Sequence, residues 1–250
     1  MSSSVPPIDD FTDQRVIITG GTRGIGRGMS RAFLRRGAHV TSTYSGNEEA
    51  AQSLRAEAGE DAARLTTVRF DVADHERVKA FFESLTVAPD VVIANAGIRR
   101  DAMTAMTSSE DWHRVLAVNL DGTFHVAKFA VRAMSRRRYG RIIFVTSPSA
   151  ELGFEGQGAY AASKAGQVAL MRVLAKEVAS RQITVNCVSP GFVDTELLKD
   201  LGPDHKSKLL STVPARRFGT EDEIASAVLF LASRSASYVS GAVLRVTGGL

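Results

Sequence analysis

Seven short runs of β-branched and apolar residues recur along this chain, and helical stretches separate them. That alternation limits the possible folds more than any other feature. The runs are Arg15–Thr19, 38–43, 65–70, 90–94, 141–145, 183–188 and 242–246. Helical patterning covers residues up to 36, Glu48–Glu57, 74–85, 109–137, 157–180 and Glu221–Ala232. Runs apolar throughout, with helices between them, predict a parallel sheet covered on both faces. Right-handed crossovers then give a doubly wound, seven-stranded α/β fold. With no repeat or linker, a single domain is expected over 13–250, after a loose arm at 1–12. Residues 192–218 contain Pro203, Pro214 and an amphipathic piece at 206–210. An insertion that long beyond a strand end predicts a lid over a crevice.

Composition removes several classes of function. The 250 residues are 44% hydrophobic and 23% charged, which fits a globular chain and argues against disorder. No apolar run approaches the ~20 residues of a spanning helix, and no basic start precedes an apolar stretch. A cytoplasmic protein without a membrane partner is expected. The single Cys187 excludes an internal disulfide and falls in a strand-like run, as a packed thiol would. His39, His75, His113, His125 and His205 show no ligand spacing, so no metal is expected. The net charge is +4, and the densest cluster, Arg136-Arg137-Arg138, reads as a solvated helix end. A nucleic-acid partner is not expected.

The first strand runs into Thr19-Gly20-Gly21-Thr22-Arg23-Gly24-Ile25-Gly26. Glycines between a strand and a helix let the backbone turn tightly and approach a pyrophosphate. The helix that follows offers its free N–H groups to the anion. Asp71-Val72 follows the third strand and Asn95-Ala96-Gly97 the fourth, at the strand ends that border a nucleotide crevice. The spacing Gly-x-x-x-Gly-x-Gly, with these elements, resembles the short-chain dehydrogenase/reductase family, whose members have a Rossmann fold. The resemblance implies cofactor contacts at Gly20, Thr22, Arg23, Gly24, Ile25 and Gly26, at Asp71 and Val72 beside the adenine, and at Asn95, Ala96 and Gly97.

NAD enzymes usually end the second strand with a carboxylate that accepts the ribose hydroxyls. Tyr44 and Ser45 stand there instead, so a 2′-phosphate would meet no repulsion, and Arg23 can supply a countercharge. NADP(H) is therefore the expected cofactor, with Glu48-Glu49 just downstream as the feature that opposes it.

Ser147 ends the fifth strand, and Tyr160-Ala161-Ala162-Ser163-Lys164 opens a helix with phenol and ammonium four residues apart on one face. Ketone reduction by hydride needs an acid for the growing alkoxide, and a free tyrosine of pKa about 10 is sluggish at neutral pH. Lys164 is expected to lower that value, and Ser147 to hold the substrate oxygen. The resemblance adds a ribose contact for Lys164 and makes Asn119 the support of a proton-supplying water chain. It also places Pro190, Gly191, Val193 and Thr195 along the nicotinamide and phosphates.

From about residue 14 to 250 the chain is similar to the 3-oxoacyl-[acyl-carrier-protein] reductase branch. The stretches that carry this are Asn95 to Asp101, Gly156 to Tyr160, Val188 to Phe192, Leu231 to Ser233 and Ala236 to Gly241. The branch implies a 3-oxoacyl thioester substrate on an acyl carrier protein, a homotetramer, and docking of the carrier on Arg138 and Arg181 near the active-site mouth. Thr247-Gly248-Gly249, Pro148 and Ala150-Glu151 depart from the branch pattern on the substrate side. Two other readings stay open. One is a same-family reductase or dehydrogenase of a free small-molecule ketone or alcohol. The other is a non-catalytic nucleotide-binding scaffold whose arginine run binds nucleic acid.

Overall fold

The structure is a computed structural model that describes residues 10–195 and 202–250. Its strands are β1 (Arg15–Thr19), β2 (His39–Tyr44), β3 (Leu65–Arg69), β4 (Val91–Ala94), β5 (Gly140–Val145), β6 (Ile183–Pro190) and β7 (Val243–Val246). They form one parallel sheet in the order β3-β2-β1-β4-β5-β6-β7, so the order reverses between β1 and β4. The helices are α1 (Gly24–Leu34), α2 (Glu48–Glu57), α3 (His75–Glu83), α4 (Ser109–Leu116), α5 (Gly122–Ser135), α6 (Ser149–Leu152), α7 (Gly158–Val178), α8 (Pro203–Thr212) and α9 (Glu221–Ala232). The doubly wound fold expected from the alternation is present.

The central strands β1 and β4 lack polar alternation because both faces of the sheet are covered there. Val16 and Ile18 of β1 join one core with Met29 and Phe33 of α1 and Ile224 and Val228 of α9. Ile17, between them, points to a second core with Val78 and Phe82 of α3, Phe129 of α5 and Met171 of α7. Each such side chain contributes about 1.5–3 kcal/mol by leaving water. A polar residue at either position of β1 would therefore face a packed layer. No helix among the described residues is long and apolar enough to cross a membrane.

Four expectations about the elements change. Phe11, assigned to the arm, is fully buried, with its ring 4.9 Å from Phe33 in an edge-on contact. Its backbone N–H donates to Arg36, so the fold begins before residue 13. The long helix over 109–137 is interrupted by a π-helical turn, Ala117–Asp121, between α4 and α5. The amphipathic piece at 206–210 is part of the longer α8, to which Pro203 contributes an N-terminal residue free of any need for a partner. Residues Ser149–Leu152, whose Ala150-Glu151 stand where the branch pattern has a turn, form α6, which starts directly after Pro148 and ends at Gly153 with φ +63°. Of the expected lid, residues 196–201 lie outside the described residues, as do residues 1–9 of the arm.

Candidate active site

In an open parallel sheet, ligands bind beyond the strand C-termini where the strand order reverses. Here a cleft of about 620 Å³ opens at that place. Arg23 and Ile25 line it from the start of α1, and Asn95 and Gly97 from the end of β4. Ser147, Tyr160 and Lys164 form the opposite wall, and Pro190, Gly191, Val193 and Thr195 border it after β6. Sequence candidates from five distant segments thus meet in one crevice.

The cradle side is built from backbone. Gly24 has φ +51°, and a Cβ on Gly26 would lie 2.0 Å from the Gly20 carbonyl oxygen, so the turn closes only around glycine. Helices α2, α3 and α9 begin with a side-chain cap from Asn47, Asp74 and Thr220. Helix α1 has no capping side chain and no acidic residue in its first turn. Its N–H groups and positive end fit an anionic diphosphate. Asn95 Nδ2 donates to the carbonyls of Thr19 and Gly20 at 2.9 and 3.1 Å, and the Asn95 and Ala96 N–H groups both donate to Thr19 Oγ1. Thr19, absent from the candidate set, ties β4 to the glycine turn. Thr22 is buried within the turn and does not reach the cleft.

The ends of β2 and β3 lie outside the cleft. Tyr44 donates from its hydroxyl to Glu48 Oε2 at 2.6 Å, so a carboxylate does stand beside this position. The expectation that none would be met is corrected: the first turn of α2 returns Glu48 to the strand end. A cation also stands there. Arg69, paired with Tyr44 across the sheet, donates from Nε to the Ser45 carbonyl at 3.1 Å. Asp71 accepts from Ala73 N–H and pairs with Arg114. Val72 is buried against Gly122, and its carbonyl is in hydrogen-bond contact with His125 Nδ1 at 3.1 Å.

The chemical wall is built from side chains. Lys164 is buried and donates from Nζ to the Val145 carbonyl at 2.7 Å. Burial lowers its pKa to about 8. The ammonium lies over the Tyr160 ring, 5.6 Å from its centroid. The Tyr160 phenol is raised, not lowered. Burial is the largest cause, opposed by a hydrogen bond with Ser147 and the charge of Arg99. The lowering expected of this tyrosine is therefore not realised in the cofactor-free protein, because burial outweighs the groups that favour the phenolate.

Asn119 sits in the π-turn behind the cleft. Its Oδ1 accepts from Ile98 N–H at 2.8 Å, and its Nδ2 donates to the Ile98 carbonyl and to Ser163 Oγ, both at 3.0 Å. The wide turn frees its main-chain carbonyl, which accepts from Thr123 and Gln167. Cys187 is buried, and burial pushes its thiol up to about 12, which leaves it inert. Among the described residues no three His, Cys, Asp or Glu gather as a metal site.

Arg138 and Arg181 are neighbours, for Arg138 Nη2 donates to the Ser180 carbonyl at 2.8 Å. They do not flank this chain's own cleft. Both precede the starts of β5 and β6, whereas the cleft opens at the strand ends. At ~3.3 Å per residue, β5 separates them from Ser147 by roughly 20 Å. Linear sequence does not show which end of a strand a flanking residue occupies relative to a site built by others.

Comparison with known proteins agrees with this geometry. A family model described as "Enoyl-(Acyl carrier protein) reductase" matches residues 20–250. The chain belongs to the short-chain dehydrogenase/reductase family. It is 39% identical over 241 residues to the 3-oxoacyl-[acyl-carrier-protein] reductase FabG of Escherichia coli (strain K12), covering 96% of this chain and 98% of that one. It is 36% identical over 244 residues to Nodulation protein G of Rhizobium sp. (strain N33), with the same coverage. A solved structure of a candidate gluconate dehydrogenase from Agrobacterium tumefaciens superposes with a TM-score of 0.91 at 26% identity, covering 96% and 97% of the two chains. This short-chain dehydrogenase/reductase is an oxidoreductase of ketoreductase type, in a family that depends on nicotinamide dinucleotides. Its cradle side fits such a cofactor, and its chemical wall presents a phenol and a hydroxyl to the cleft.

Proposed function

We propose that this enzyme uses NADPH to reduce the 3-keto group of an acyl thioester, carried on an acyl carrier protein, to the 3-hydroxyacyl thioester. The observation that carries this reading is the meeting of Ser147, Tyr160 and Lys164 in one cleft, in a chain 39% identical to a reductase of that substrate. A nicotinamide dinucleotide held by the glycine turn and the start of α1 would supply the hydride for the ketone carbon. Ser147 hydrogen-bonds the ketone oxygen and holds it beside the phenol. Tyr160 transfers its phenolic proton to that oxygen as negative charge grows there. Lys164, held on the Val145 carbonyl with its ammonium 5.6 Å from the Tyr160 ring centroid, favours in its protonated form the tyrosinate left behind. Asn119 holds the loop after β4 against α7 through Ile98 and Ser163.

For the cofactor, Arg23 in the cleft and Arg69 at the end of β3 provide charge for a 2′-phosphate, while the Tyr44 hydroxyl engages Glu48. The exposed Trp112, Phe124 and Val173 on α4, α5 and α7 give apolar surface for a homotetramer. Arg138 and Arg181 then serve a carrier across a subunit boundary, because their own cleft lies at the other end of the sheet.

The test is NADPH oxidation against 3-oxoacyl thioesters on carrier protein and on coenzyme A, with free ketones as a third arm and NADH as the control. Higher kcat/KM on the carrier thioester with NADPH is expected. Preference for a free ketone removes the carrier assignment, and preference for NADH removes the reading of Arg23 and Arg69.

A further inference from the structure

Three polar groups stand in a row on the substrate side of the cleft. Ser147 Oγ lies 3.1 Å from Ser149 Oγ, and Ser149 Oγ lies 2.8 Å from Oε1 of Gln157. The Ser149 N–H also donates to Ser147 Oγ, at 3.2 Å. Ser149 is 4% exposed, so it has little access to bulk water as an alternative partner. Gln157 lines the cleft directly before α7. The row links the residue that should hold the substrate oxygen to an amide one short helix away.

The polarity of this row matters. With Oε1 as its last acceptor, the protons point away from the substrate: Ser147 donates to Ser149, and Ser149 donates to Gln157. Ser147 then has no proton for a ketone oxygen. A carboxamide turned end for end presents its NH₂ group instead. Gln157 then donates to Ser149, Ser149 donates to Ser147, and the Ser147 proton is free to face the cleft. An amide can support both directions because it carries a donor and an acceptor of nearly the same size. A carboxylate supports only the first.

We infer that Ser149 and Gln157 are positioning residues that aim the Ser147 proton at the substrate oxygen through a reversible hydrogen-bond row. This rests on the reading of Ser147 as the donor to a ketone. No bond to carbon changes in the row, and each hydroxyl keeps one proton as the direction reverses. The substrate oxygen itself drives the reversal, since an acceptor arriving in the cleft competes with Ser149 for the Ser147 proton. As hydride transfer raises the charge on that oxygen, the reversed row becomes more favourable, so the stabilisation is larger in the transition state than in the ground state. The effect should therefore fall on kcat more than on KM.

The experiment measures NADPH-dependent kcat and KM of the full chain and of the variants Ser149→Ala, Ser149→Thr and Gln157→Glu, between pH 5.5 and 8.5. Melting temperature and NADPH affinity serve as controls of folding. Ser149→Ala should lower kcat by about tenfold with KM within about twofold. Ser149→Thr should restore kcat to within about threefold of the parent, because it keeps the hydroxyl. Gln157→Glu should lose about tenfold or more at pH 8 and recover relative to the parent as the pH falls, since a protonated carboxyl regains a donor. That pH-dependent recovery is a signature that a merely structural role does not produce.

Parent-like kcat in both Ser149→Ala and Gln157→Glu overturns the inference. So does a loss in Gln157→Glu that is constant with pH. Should Ser149→Ala fail to fold, the pH profile of Gln157→Glu decides alone. A parent enzyme that reduces no ketone or thioester overturns the functional reading itself, which separates the two failures.

Discussion

The two sides of the cleft are made in different ways. The cradle side, around the glycine turn and Asn95, is shaped by backbone: a left-handed glycine, a helix start without a cap, and carbonyls tied by Asn95. The chemical side, after β5 and at the start of α7, is shaped by side chains whose charge and proton placement are set by burial and a few hydrogen bonds. A backbone cradle tolerates almost any surface chemistry but no added volume. A side-chain wall tolerates changes of volume but not the loss of a proton donor. The difference teaches where binding and catalysis can be separated by mutation.

The largest expected separation is at Tyr160. Tyr160→Phe keeps the ring and removes the proton, so kcat/KM should fall by roughly 10²–10⁴, while NADPH affinity by fluorescence titration stays within about threefold. A matching loss of cofactor affinity would break the comparison. The next is Gly26→Ala, which adds one methyl group where the Gly20 carbonyl already stands. It should destabilise the fold by about 1–3 kcal/mol and weaken cofactor binding by about a hundredfold, as read by thermal melts and calorimetry. Catalysis from whatever cofactor still binds should change far less.

Arg23→Ala should weaken NADPH by about tenfold and leave NADH unchanged, because only the 2′-phosphate loses a partner. Equal losses for both cofactors would assign Arg23 to the pyrophosphate instead. The smallest effect concerns stability and pH. Lys164 sits near 8 in the folded protein, below the ordinary lysine value near 10.5, because burial disfavours its charge. Between these values the unfolded chain binds more protons than the folded one. The contribution of Lys164 to the stability of the cofactor-free protein should therefore rise across pH 8 to 10.5, by about 1 kcal/mol per pH unit. Cys187, pushed up to about 12 by the same burial, contributes the opposite slope above pH 9, so urea titrations should show the Lys164 slope as the difference between the parent chain and Lys164→Met.

Much of this was legible from residue order. The central strand runs announced a buried parallel sheet because they are apolar on both faces, as Val16, Ile17 and Ile18 show. The glycine turn and the Tyr160 to Lys164 spacing were legible because local geometry dictates them. Asn119 is named by the family resemblance, yet the π-turn that frees its carbonyl leaves no mark in composition. Gln157 was quoted as part of a motif, and Ser149 passed as one more small residue. Their partnership exists only because α6 folds back to bring positions 149 and 157 together.

By itself, then, the amino-acid order determined the layers, the crevice and the residues around it, since periodicity, glycine conformation and helical spacing act over a few residues. Tertiary structure alone decided the direction of the Tyr160 shift, the return of Glu48 to Tyr44, and the removal of Arg138 and Arg181 to the far end of the sheet. Each of these depends on distance through folded space. Electrostatic and hydrogen-bond energies follow that distance and the burial that accompanies it, and neither is written in the separation of residues along a chain.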